Sequence, residues 1–112
     1  MRKIVNLIEP QNGIVRLMIH NDENGTYLFG FKKFEDCNSE FDEWYESEID
    51  ALESCESEYG ININYWKEIP NPEEHCQQDW INPVRVKGRE NGNPVFGKLE
   101  KKINGKWIDL LE

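Results

Sequence analysis

The chain has 112 residues, of which 38% are hydrophobic and 12% aromatic, and it carries a net charge of −9. Four Trp, four Tyr and five Phe argue against disorder, because disordered chains are poor in aromatics. The charge argues against direct nucleic-acid binding and against anionic membranes, since phosphate would be repelled, but it suits a basic protein surface.

The length predicts one domain, 1–112. No apolar run is long enough for a membrane helix, and the opening "MRKIVNLIEPQNG" is too short in apolar residues for a signal peptide. Cys37, Cys55 and Cys76 are odd in number and have no CxxC spacing. They point away from a disulfide framework and toward a reducing, cytoplasmic setting.

Residues 3–34 read as three strands separated by turns at "PQNG" and "NDENG", where Asn-Gly supplies the positive φ of tight hairpins. In the second strand Val15, Leu17 and Ile19 alternate with Ile14, Arg16, Met18 and His20. In the third, Tyr27, Phe29 and Phe31 share one side.

The period then changes. Phe41, Trp44, Tyr45, Ile49, Leu52, Cys55 and Tyr59 recur at three and four, which predicts a helix over 39–59. Ser39 with Asp42 would begin it as a shortened capping box, and Gly60 would end it.

This stretch overlaps an acidic run. Residues 35–58 hold 11 of the 22 acids and no lysine or arginine, so the run sums to −11. The rest of the chain, with 11 acids and all 13 Lys+Arg, sums to +2. At about 100° per residue, Asp42, Glu43, Glu46, Asp50 and Glu53 fall opposite the apolar stripe. They are the candidate partner-binding residues. The plain alternative is a solvated face that maintains solubility. Glu48 falls among the apolar side chains and needs a cation, for which Arg16, His20 and Arg85 are candidates. Otherwise it would be a catalytic acid with a raised pKa.

"INYWKEIP" (63–70) suggests a short strand, followed by a long irregular piece braced by Pro70, Pro72 and Pro83. Within it, His75, Cys76, Gln77, Gln78, Asp79 and Trp80 form a secondary contact loop. This is also the one place where nucleophile, base and carboxylate types crowd together. Residues 84–112 read as three strands joined at "GRENGNP" and "INGK". Arg85, Lys87, Arg89, Lys98, Lys101, Lys102 and Lys106 make them basic, and Phe96 among them could stack on single-stranded nucleic acid. The overall charge and the habit of blunting sheet edges with lysine weigh against that use.

Two His and three Cys at scattered positions give no zinc spacing, and "NDENGTY" lacks the alternating acids of a calcium loop. No phosphate-binding glycine motif or G-x-S-x-G is present, so no metal and no cofactor is expected.

The expected class is α+β: antiparallel β meanders of about six strands, with one central amphipathic helix packed on one sheet face. The expected function is non-enzymatic. It is an acidic protein-binding module that docks on a basic partner surface, as a bacterial or phage inhibitor, immunity protein or DNA mimic would. The rivals are a small thiol enzyme using Cys76, a histidine and Glu48, and a structural component of a larger assembly. The basic strands of one copy could meet the acidic helix of another, so a monomer or weak head-to-tail self-association is expected.

Overall fold

The structure is a computed structural model that describes residues 1–110. It divides into two compact units, Met1–Asn71 and Pro72–Glu112. Among the described residues the class is α+β, with eight strands in two antiparallel sheets and one α-helix.

In the first unit, β1 (Arg2–Gln11), β2 (Ile14–Asp22), β3 (Gly25–Phe31), β4 (Phe41–Tyr45) and β5 (Lys67–Ile69) form one sheet in the order β4-β3-β2-β1-β5. Asn12 and Gly13, at φ 53° and 81°, turn β1 into β2 as the Asn-Gly pair dictates. Asp22 Oδ1 accepts from the Asn24 N–H at 2.7 Å and shapes the next turn. Leu17, Ile19 and Leu28 project from β2 and β3 into a cluster with Ala51, Leu52 and Cys55 of the helix α1 (Glu48–Tyr59). Burying a side chain such as Leu52 contributes about 1.5–3 kcal/mol. The alternate residues Met18, Phe29 and Phe31 are also buried, so the middle of the sheet is covered on both faces. Tyr27 and Phe29 stack at 6.4 Å, as their shared parity requires. Ile14, expected to face away from Leu17, joins the same cluster. The β1–β2 register slips between Asn6 and Gln11, and Ile14 lies just beyond the slip.

The helix is shorter than the sequence suggests. Residues 39–47 are not helical, and Phe41–Tyr45 is a strand paired with β3 from Gly30 to Thr26. The first cap is Ser47, at φ −141°, whose Oγ accepts from the Asp50 N–H at 3.2 Å. Glycines on β3 decide the outcome for 41–45. A Cβ at Gly30 would overlap the Phe41 ring, and one at Gly25 would overlap the Trp44 indole. Both rings fill the hollows left on β3, and Trp44 Nε1 donates to the Asn24 carbonyl at 3.0 Å. Gly60, at φ 69°, ends α1 as expected and donates its N–H to the Glu56 carbonyl. Ile49, placed in the apolar stripe by the longer helix, is 53% exposed.

In the second unit, β6 (Val84–Val86), β7 (Leu99–Ile103) and β8 (Lys106–Asp109) form a separate sheet in the order β6-β7-β8. Asn104 and Gly105, at φ 50° and 78°, close the second Asn-Gly hairpin. Arg85 organises this sheet. Its Nε donates to Glu100 Oε1 at 2.7 Å, a terminal nitrogen lies 3.5 Å from Glu90, and the guanidinium sits 3.8 Å from the Trp107 ring centroid.

Candidate functional site

The five carboxylates expected to meet a partner do not share a helix face. Asp42 and Glu43 lie on the edge strand β4, Glu46 lies in the bend after it, and Asp50 and Glu53 lie on the first turns of α1. The correction follows from the shorter helix. Residues 42 and 43 now alternate across a strand, where successive side chains point to opposite faces. Tyr45 stands on the helix side, with its hydroxyl 2.9 Å from Ser54 Oγ. Glu43 shares that side and accepts from the Tyr45 hydroxyl at 2.9 Å. Asp42 and Trp44 take the other side.

All five carboxylates are exposed, and none forms an ion pair among the described residues. The Asp50 carboxylate lies in the first turn of α1, where the macrodipole favours negative charge. At the other end Glu56 and Glu58 oppose it, and the last turn holds no basic residue. The acids are felt inside as well. Burial, and then Glu58 and Glu43, push the Cys55 thiol up to about 12, which makes it an inert core thiol. Burial likewise pushes up the Tyr45 hydroxyl, which therefore stays protonated as a donor.

The charge is unevenly divided along the chain. Met1–Asn71 holds 15 acids and 6 Lys+Arg, which gives −9, while Pro72–Glu112 holds 7 of each and sums to zero. Within the second unit Lys87 pairs with Asp109 at 3.0 Å, Lys102 with Glu73 at 3.0 Å, and Arg85 with Glu100 at 2.7 Å. Three of its seven cations are thus paired within the unit.

Glu48 needs a cation and has one, but not Arg16, His20 or Arg85. Lys3 Nζ lies 2.7 Å from Glu48 Oε1, and both side chains are mostly buried. Lys3 is the cross-strand partner of Ile19, so it shares the sheet face on which α1 packs. Arg16 instead donates to Asn6 Oδ1 at 2.9 Å.

In the 75–80 loop, His75 adopts φ 65° and its Nε2 lies 3.3 Å from Glu74 Oε1, so that nitrogen faces a carboxylate. Burial and Glu73 push the Cys76 thiol up, against the opposing pull of Arg85 and Lys102. That is the reverse of nucleophile activation. Gln77 N–H donates to the Val84 carbonyl at 2.6 Å, and Trp80 is buried. Gln78 and Asp79 are also engaged. Among the described residues no group of His, Cys, Asp and Glu is placed to hold a metal ion, and no helix is long and apolar enough to cross a membrane.

Two features leave little mark in the sequence. One is the open edge of β4, because Phe41, Trp44 and Tyr45 also fit the spacing of a helix stripe. The other is a groove of about 210 Å³ between the bulged half of β1 and the end of α1, lined by Leu7, Ile8, Tyr59, Ile61 and Tyr65 among others. Pro10 was its only local sign, because a proline inside a strand marks an edge or a bulge.

No protein-family model, no curated protein and no solved structure matches this chain.

Proposed function

We propose that this chain is a small, non-enzymatic, acidic protein-binding module that docks on a basic surface of another protein, as an inhibitor or immunity protein does. The observation that supports this reading most is the cation-free run over 35–58. Its carboxylates at 42, 43, 46, 50 and 53 stand exposed without internal cations on the unit that carries the whole net charge. A face built only for solubility would tolerate interspersed lysines, which stabilise helices through i,i+4 pairs. Here that gain is forgone. Each exposed pair formed with a partner adds only about 0.2–1 kcal/mol. The larger effect is on encounter, since exposed charges of one sign clustered around β4 and the start of α1 steer a basic partner and make association fast and salt-sensitive. The thiol chemistry considered for Cys76 has less support, because its surroundings favour the neutral thiol.

The test is capture from a cell lysate at low and high salt, followed by mass spectrometry, with wild type beside Glu46→Lys/Asp50→Lys/Glu53→Lys. A basic protein retained by wild type at low salt, released at high salt and lost by the variant is the expected outcome. Circular dichroism should show the variant still folded. Capture that is unchanged by salt and by charge reversal would sink the proposal.

A further inference from the structure

The acidic face includes a main-chain feature that charge alone does not explain. β4 is the last strand of its sheet, and among the described residues its backbone is bonded to β3 alone. Its outer edge therefore presents a row of N–H and C=O groups with no strand beside them. We propose that this edge receives an extended, cationic segment of the partner protein as a sixth strand, a reading that rests on the proposed function above.

Three observations carry it. First, the edge is guarded only by its shortness and by negative charge, which turns away anionic strands but not cationic ones. "FDEWY" has no proline and no lysine, and Asp42, Glu43 and Trp44 are all exposed. Second, the charge selects the occupant. In a pairing of β4 with a second copy of itself, the centred antiparallel register would bring Glu43 against Glu43, and a shift by one residue would bring Asp42 against an acid as well, which is destabilising. A strand carrying Lys or Arg faces attraction instead, and the neighbouring Glu40 and Glu46 extend the acidic rim at both ends. Third, the edge is held rigid in advance. The Phe41 and Trp44 rings fill the hollows over Gly30 and Gly25, Trp44 Nε1 is tied to the Asn24 carbonyl, and the Tyr45 hydroxyl is tied to Ser54. Little ordering is left to be lost on binding.

The alternation of β4 also specifies the guest. Asp42 and the half-exposed Trp44 lie on one face, and Glu43 on the other. A guest with cations at every second position would meet Asp42 on that face and could lay a guanidinium on the Trp44 indole. Main-chain bonds would supply affinity and the alternate cations would supply choice, as in other strand-addition complexes.

The probe is a blocked synthetic peptide of about nine residues, a typical strand length, alternating Arg and Thr. It is compared with its Glu-Thr counterpart and with an Arg-Thr peptide N-methylated at every residue. The methylated peptide keeps the charge and loses every main-chain donor. Binding is followed on the full chain by fluorescence titration and by amide hydrogen exchange read by NMR. The expected result is that the Arg-Thr peptide binds and slows exchange within 41–45, the Glu-Thr peptide does not bind, and methylation weakens binding by about tenfold or more. Equal affinity of the methylated peptide would overturn strand addition while leaving the acidic docking face intact. Failure of the Arg-Thr peptide to bind would overturn the inference too, and the lysate capture would then judge the docking face separately. Protection of 41–45 that grows with protein concentration alone would assign the edge to a second copy and equally overturn it.

Discussion

Glu48 shows how far a single residue can be read before coordinates exist. Its position among apolar side chains required a cation, because an unpaired carboxylate there would be costly. Which cation depended on strand register, and that register set Lys3 beside it at 2.7 Å. Removing Glu48 as Glu48→Ala leaves Lys3 mostly buried without its partner. The expected loss is about 1–3 kcal/mol, measured as a lower urea midpoint with an unchanged slope. Cys55 gives a second residue-scale test, with a definite sign. Burial pushes its thiol from the ordinary value of 9.0 up to about 12 in the folded chain. Above pH 9 the unfolded chain loses this proton while the folded chain keeps it, so the folded state binds more protons and stability falls as pH rises. The thiol's contribution is complete below pH 9 and is lost on the way to about 12. Stability curves of wild type and Cys55→Ala across pH 8 to 11 should diverge with this sign, the wild type falling more steeply. Parallel curves would show that the thiol is not held neutral. Burial also raises Tyr45 and Tyr59 from a higher starting value, and these are common to both proteins.

Among the elements, the Asn-Gly hairpins at 12–13 and 104–105 and the helix stop at Gly60 were legible, because each requires a positive φ that few residues accept. The 22–25 hairpin was placed correctly, but it turns on Glu23 and Asn24, with Gly25 already in β3 and no positive φ at Asn24. The start of the helix was not. Phe41, Trp44 and Tyr45 satisfy the spacing of a helix stripe, and aromatic residues fit a strand as well. What separates the two is tertiary: Gly25 and Gly30 on β3 leave hollows that the Trp44 and Phe41 rings of the neighbouring strand fill. Asp42, Glu43 and Glu46 were therefore identified as exposed but on the wrong scaffold, while Asp50 and Glu53 lie on the helix as expected. Gly30→Ala tests this element directly. The added methyl must displace the Phe41 ring, at an expected cost of about 1–3 kcal/mol. Amide exchange should accelerate in 41–45, while the β1–β2 pairing keeps its protection. Unaltered exchange in 41–45 would show that the ring does not hold the strand.

Over the whole molecule, the net charge of −9 resides in Met1–Asn71 and the second unit is neutral. The −11 of residues 35–58 against +2 for the rest was countable in the sequence, whereas the boundary at residue 71, and with it the neutrality of the unit that holds the basic strands, came with the fold. The α+β class followed from the change of period along the chain. The separation of the strands into sheets of five and three was not legible, since long-range pairing leaves no local mark. The most direct measurement is the association rate of the captured partner with wild type and with the Glu46→Lys/Asp50→Lys/Glu53→Lys variant, across a range of ionic strength. A rate that falls steeply with salt for wild type, and that is slow and nearly salt-independent for the variant, is the expected result. Equal rates for both proteins, flat with salt, would contradict the acidic docking face.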